Sequence, residues 1–415
     1  MTLWWTRGVL LLFALAGDAS AQAVPGPPDS VAGDIPLEVG VLTLGRDAEV
    51  WELWGHNTIV VTDRAGGNSR SYNWGLFDFR QENFILRFAR GEMWYSMGAR
   101  STSRELKFYA SRDRTMVLQD LALTAAQAAT LQEYLEWNDL PANRGYFYNY
   151  YLDNCSTRVR DAVDRALAGQ LKPQFDSLPS GHTWRWETRR ILGWNLPLYV
   201  LVNLALGHPV DVEMTAWQAM FLPRRLMEYL RTAQVAGASG QPTPLVSREQ
   251  ELHRSSHLVD PDSPRPTWIP LLVTGLLLGT LLWALGGAAR GSRRARRWFG
   301  ALGGLWSFLA GFLGLLLLFL WFLTDHWSSR DNENVLLLTP ISLALVVLIP
   351  LALKGRSGAI RAAVKVAGLV TGLAVLALGI KVLPWFHQHN LELIALILPV
   401  HAGLLTGLKR ATTAA

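Results

Sequence analysis

The stretch Trp268–Ala289, WIPLLVTGLLLGTLLWALGGAA, carries no charged residue, and Arg290, Arg293, Arg294, Arg296 and Arg297 follow it directly. About 20 apolar residues in a helix cross the hydrocarbon of a bilayer, so this run reads as a membrane span. It divides the chain into a soluble half before it and a lipid-embedded half after it. Four further apolar stretches follow: Phe299–Thr324, Val335–Leu353, Ala362–Phe386 and Leu391–Leu408. The last contains Glu392 and His401, which are costly in hydrocarbon and weaken its reading as a span. Basic residues follow the first span, the third (Lys354, Arg356, Arg361) and the fifth (Lys409, Arg410). With five spans all three clusters fall on one side, and the basic side is cytoplasmic. Residues 267–409 therefore read as an all-α transmembrane bundle of about five helices. The loops Asp325–Asn334 and His387–Asn390, and all of the soluble half, lie on the opposite face.

The amino terminus points the same way. Residues 1–21 hold one positive charge at Arg7, an apolar run from Gly8 to Ala16 and the small residues Ala19-Ser20-Ala21, the pattern of a secretory signal with cleavage expected after Ala21 or Ala23. The formal net charge of +6 does not call for nucleic acid as a partner, because many of the basic residues stand in short loops between spans. A single cysteine, Cys155, leaves an exported chain without an internal disulfide, so the thiol needs another explanation.

Residues 24–235 read as one mixed α+β domain, and residues 236–266, rich in Ala, Gly, Ser, Pro, His and charge, as a linker beside the membrane. Asn57–Thr62 (NTIVVT) and Ser69–Trp74 flank a turn signalled by Gly66-Gly67 and predict a hairpin. His56 opens the first strand. Tyr72 and Asn73 lie on the second, and only one of them shares the face that His56 uses, since side chains alternate. Ala125–Trp137 predicts a helix capped by Thr124. Val159, Ala162, Val163, Ala166 and Leu167 stand at helical spacing after Asp153-Asn154, with Gly169 as a stop, which puts Cys155 in the first turn of a helix. There the free N–H groups and the helix dipole favour a thiolate.

A thiol nucleophile needs a base and a group that holds the base in one tautomer; Cys155, His56 and Asn73 have the side chains for those roles. The same three equally suit a packed thiol, a hydrogen-bonded strand histidine and a strand-edge amide. Neither His387 with His389 nor His253 with His257 has a third ligand at a familiar spacing, so no metal is expected, and no cofactor is called for. The aromatic run Tyr146–Tyr151 suits core packing or the lining of an acyl groove. The polar loop Asp325–Asn334 suits a solvated hairpin or a contribution to a site at the membrane surface.

Trp54-Gly55-His56, Tyr72 to Phe79 (YNWGLFDF), Asp153 to Arg158 (DNCSTR) and Met220-Phe221-Leu222-Pro223 resemble the Lnb N-terminal periplasmic domain family. Thr324-Asp325-His326-Trp327 with Asn332-Glu333-Asn334 resembles the membrane part of the same proteins. The resemblance implies a permuted papain-like (NlpC-like) fold, related also to lecithin–retinol acyltransferase, with histidine before cysteine along the chain. It implies Cys155 as nucleophile, His56 as general base, and Asn73 or else Tyr72 as the orienting group. It implies an enzyme of the bacterial inner membrane, its soluble domain in the periplasm, that N-acylates diacylated lipoproteins with a phospholipid acyl donor. Tyr72, Asn154, Arg158, Asp325 and His326 are the further candidates for substrate binding, and Arg160, with Arg158, for holding lipid phosphate. Two other readings stand beside this one: a cysteine peptidase or amidase of cell-wall peptides, and a non-catalytic envelope module.

Overall fold

The computed structural model describes residues 37–78, 80–236 and 241–412. The expected signal peptide, its cleavage points, the start of the soluble domain and Phe79 lie outside the described residues. The N-terminal domain is mixed α/β, built on a seven-stranded antiparallel sheet. Its strands are β1 (Leu37–Leu44), β2 (His56–Asp63), β3 (Ser69–Leu76), β4 (Met93–Ser101), β5 (Met116–Leu121), β6 (Gly145–Tyr148) and β7 (Val246–His253), in the order β7-β5-β1-β2-β3-β4-β6. The expected hairpin is β2 and β3, paired from Thr62↔Ser69 to Thr58↔Asn73, with Gly67 at φ +66° in the turn.

Alternation along the strands gives the sheet two apolar faces. Val39, Val41, Ile59, Val61, Tyr72 and Trp74 face one core. The helices α3 (Ala125–Asp139) and α4 (Cys155–Ala166) close it with Leu131, Leu135, Val159 and Val163. Leu42, Leu44, Val60 and Met116 face the other, covered by Tyr109 of α2 (Thr102–Ser111). Thr124 caps α3 as expected: its Oγ1 accepts from Gln127 N at 3.2 Å and its N–H donates to Gln127 Oε1 at 2.9 Å.

The expected linker is a correction. Pro242–Pro244 pairs with Gln234–Ala236, and β7 completes the sheet on β5. Arg248 reaches Asp120 at 2.8 Å, while Asp260 and Asp262 bind Arg190 and Arg224 at 3.0 and 2.6 Å. An edge strand with little buried surface has a polar composition, which resembles a linker's although its backbone is held in the ladder.

Among the described residues, five helices are long and apolar enough to cross a membrane: Trp268–Ala288, Arg293–Phe322, Glu333–Leu353, Ser357–Val382 and Leu391–Thr412. The first and last pack backbone against backbone. A Cβ on Gly279 would stand 2.3 Å from the Pro399 carbonyl oxygen, and one on Gly403 would stand 2.1 Å from that of Gly279, so small residues are obligatory there. The polar residues that made the last span doubtful are both satisfied. His401 bonds the Leu337 carbonyl at 2.9 Å and accepts from Trp306 Nε1 at 3.3 Å; Glu392 pairs with Arg189 of α5 (Trp184–Leu192) at 2.6 Å and accepts from the Tyr199 hydroxyl.

The soluble domain is thereby docked on the bundle. The apolar helix α6 (Leu196–Ala205) ends against the loop after the second span. Asn332 Nδ2 donates to Leu204 O at 2.8 Å and Asn334 Nδ2 to Asn203 O at 3.2 Å, with Asn334 Oδ1 accepting from Asn390 at 2.8 Å. These asparagines are fully buried, so this part of the loop is a structural clasp and not a solvated hairpin.

Candidate functional site

Cys155 owes its position to the cap before it. Asn154 Oδ1 accepts from Ser156 N at 2.8 Å and Thr157 N at 3.0 Å, satisfying the opening N–H groups of α4. Its Nδ2 donates to Tyr150 O at 2.7 Å and Phe221 O at 2.9 Å, while Ser156 Oγ donates to Met220 O at 2.7 Å. The Met220–Pro223 segment therefore clamps the start of the cysteine helix through its carbonyls. With its amide so engaged, Asn154 holds α4 and is not a substrate ligand, contrary to expectation.

The thiol meets the sheet where β3 breaks away from β2. The β2–β3 ladder ends at Thr58↔Asn73, and the register shifts between Trp74 and Leu76 around Gly75, whose φ of +98° favours glycine. The break leaves the Asn57 N–H directed at Cys155 Sγ. Gly75, which continues the register opposite His56, lies so close that a Cβ on it would stand 3.9 Å from Cys155 Cβ. Thiol and imidazole thus occupy the same end of the hairpin.

Imidazole and amide are joined directly: His56 Nε2 and Asn73 Oδ1 are 2.9 Å apart. Asn73 is buried and its Nδ2 donates to Glu105 Oε2 of α2 at 3.2 Å. A carboxylate only accepts, so Glu105 turns the amide nitrogen toward itself and the amide oxygen toward His56. That oxygen also only accepts, so Nε2 carries the ring hydrogen and Nδ1 keeps its lone pair. Glu105 is the residue that sequence reading missed. Its signal is faint, a buried acid in a helix far along the chain from both His56 and Cys155.

Burial dominates the electrostatics. It lowers the His56 pKa to about 4, against the Asn73 hydrogen bond that raises it, with Arg114 and Arg100 adding to the fall. It pushes the Cys155 thiol above its ordinary value, opposed by the N–H groups of Asn57, Ser156 and Cys155 itself and by the Arg114 charge. The helix start alone pointed to a thiolate; in place, desolvation outweighs it, and the resting pair is neutral thiol and neutral imidazole.

Other candidates are placed elsewhere. Tyr72 is 1% exposed, and its side chain faces the core with Trp74, opposite the face of Asn73, so it does not orient His56. Arg158 is paired with Asp153 at 2.5 Å and stacked over Tyr146 at 4.4 Å; Arg160 lies over Trp217 at 4.1 Å. Neither guanidinium is free for a lipid phosphate. Asp325 and His326 contact α1 (Phe84–Arg90), the backbone N–H of the first reaching Arg90 O at 2.9 Å and Nε2 of the second Phe88 O at 3.1 Å. The aromatic run packs at one end and borders the thiol at the other. Tyr151 packs against Trp184, Phe221 and Trp327, whereas burial and the nearby Cys155 hold the Tyr148 hydroxyl well above its usual pKa.

A mixed α/β domain carrying a cysteine at a helix start and a histidine–amide pair at a strand end, seated on five membrane-crossing helices, defines a membrane-anchored protein of the cell envelope. Residues 37–191 match the Lnb N-terminal periplasmic domain and residues 263–409 match the Lnb transmembrane domain. The chain belongs to the Lnb family and is a multi-pass membrane protein with a periplasmic domain. No curated protein and no solved structure matches it.

Proposed function

We propose that this protein is a cysteine-dependent acyltransferase of the bacterial inner membrane, with a permuted papain-like soluble domain, that N-acylates diacylated lipoproteins from a phospholipid donor. The observation that carries the reading is the Glu105–Asn73–His56 chain, which leaves the Nδ1 lone pair open at the hairpin end where Cys155 sits. The order His56, Asn73, Cys155 is that of a permuted cysteine enzyme. The membrane bundle docked against the same domain favours a lipid substrate over a soluble wall peptide.

In the first half-reaction Cys155 Sγ attacks an ester carbonyl of the phospholipid while Nδ1 of His56 takes the thiol proton. The carbonyl oxygen becomes an oxyanion near the Asn57 and Cys155 N–H groups. Collapse breaks the ester C–O bond, and the lysophospholipid alkoxide leaves with the proton from His56. In the second, the free α-amine of the lipoprotein cysteine attacks the thioester and gives a proton to Nδ1. The amide forms, the C–S bond breaks, and the departing thiolate takes that proton back from Nδ1, which restores the thiol and the neutral imidazole. Because both groups rest neutral, no ion pair has to be dissolved before an apolar acyl chain enters.

Mass spectrometry of lipoprotein N-termini tests the reading in cells that lack their native acyltransferase and carry either this chain or its Cys155→Ala variant. N-acylated termini are expected with the first only. Equal N-acylation with both would remove Cys155 from the reaction, and an altered muropeptide profile without N-acylation would point to the peptidase reading.

A further inference from the structure

At the membrane boundary an open cleft of about 680 Å³ lies between the two halves of the chain. Arg90 and Glu92, at and just beyond the end of α1, form one wall; Trp321 and Phe322, at the end of the second span, with Asp325 and Arg330 of the following loop, form the other. The walls are held together by the Asp325 and His326 bonds to α1 and by Gly91, whose Cα passes close to both residues: a Cβ there would stand 3.5 Å from each. Among the described residues, none of the four charged side chains in this cleft makes an ion pair or a side-chain hydrogen bond. Arg158, Arg185, Arg190, Arg224 and Arg225, by contrast, are each paired with a carboxylate.

We propose that this cleft binds the headgroup of a zwitterionic phospholipid that carries a primary amine. Two guanidinium groups suit a phosphate diester, since arginine offers paired donors to adjacent oxygens. Two carboxylates suit the ammonium beside it, and the balance of two charges of each sign selects against a purely anionic headgroup. The exposed Phe322 and Leu323 place the cleft at the end of a span, where the glycerol of an outer-leaflet lipid lies. From Glu92 the chain enters β4. Tyr95, three residues on and about 10 Å along an extended strand, contacts Phe77 at 5.0 Å and Tyr148 at 4.3 Å between ring centres, and Tyr148 borders Cys155. An aromatic path thus leads from the cleft to the thiol. The inference rests on the acyltransferase reading only for what the bound lipid is used for.

Lipid retention by the full-length Cys155→Ala protein tests it, because that variant binds without reacting. The protein is reconstituted in vesicles of equal parts phosphatidylethanolamine, phosphatidylglycerol and phosphatidylcholine, extracted in detergent, and its retained lipid is measured by native mass spectrometry. Phosphatidylethanolamine is expected to be enriched several-fold over both others. Arg90→Gln with Arg330→Gln should lower total retention about tenfold, whereas Glu92→Gln with Asp325→Asn should erase the preference for phosphatidylethanolamine over phosphatidylglycerol. Retention in vesicle proportions, or retention unchanged in both double variants, overturns the proposal. Selective retention by a protein whose wild type never forms a Cys155 adduct would refute the acyltransferase reading and leave this one standing.

Discussion

At the scale of single residues, the site is a chain of forced orientations ending at a lone pair. Glu105 fixes Asn73, Asn73 fixes His56, and Nδ1 is what remains. Replacing the carboxylate by an amide removes the constraint, because a glutamine can donate or accept and lets Asn73 turn over. Glu105→Gln is therefore expected to slow acylation of Cys155 by about tenfold, or about 1.4 kcal/mol of barrier, while the thermal midpoint stays within a degree or two. A midpoint that falls along with the rate would make Glu105 a packing residue only. The pKa shifts give a second expectation. His56 titrates near 4 and the thiol above its usual range, so alkylation of Cys155 by iodoacetamide should be slow at pH 7 and still rising at pH 9, with no step between pH 5 and 8. A thiolate–imidazolium pair would instead give a plateau reached below pH 7.

At the scale of elements, the decisive junction is the start of α4 against the frayed end of the β2–β3 hairpin. Asn154→Ala removes the cap and leaves the buried carbonyls of Tyr150 and Phe221 without donors, a loss of roughly 2–3 kcal/mol in stability. Asn154→Ser should recover about 1 kcal/mol of it by restoring the cap alone; equal midpoints for the two variants in detergent would contradict this role. The elements were legible in the sequence where local signals suffice: the Gly66-Gly67 hairpin, the Thr124 cap, the Cys155 helix and the spans. The strand Val246–His253 was not, because a backbone ladder to β5 and polar contacts such as Arg248 with Asp120 hold it, and its side chains read as those of a solvated tether. The face used by Asn73 could be posed from alternation but not resolved without the register, which sends Tyr72 into the core. Glu105 was invisible for the same reason: its partner stands on β3, and only the register shows which residues of β3 face α2.

At the scale of the whole molecule, two halves that composition separates are bound by polar contacts that composition cannot show. Arg189 with Glu392, and the asparagines of the loop after the second span with the carbonyls of α6, fix the soluble domain at the end of the bundle. The Arg189–Glu392 pair is partly exposed, and the buried Asn332, Asn334 and Asn390 join it in seating the domain on the bundle. This seating brings α1 and the Asp325–Arg330 loop together at the lipid surface, with the aromatic strand β4 leading inward. In the proposed mechanism Cys155 carries an acyl group taken from membrane lipid. The most direct measurement reconstitutes the full-length protein in phosphatidylethanolamine vesicles without lipoprotein, quenches in acid, and weighs the proteolytic peptide that contains Cys155. A fatty-acyl mass that hydroxylamine removes, and that His56→Ala abolishes, is the predicted result; an unmodified Cys155 peptide from protein that still N-acylates lipoproteins would contradict it.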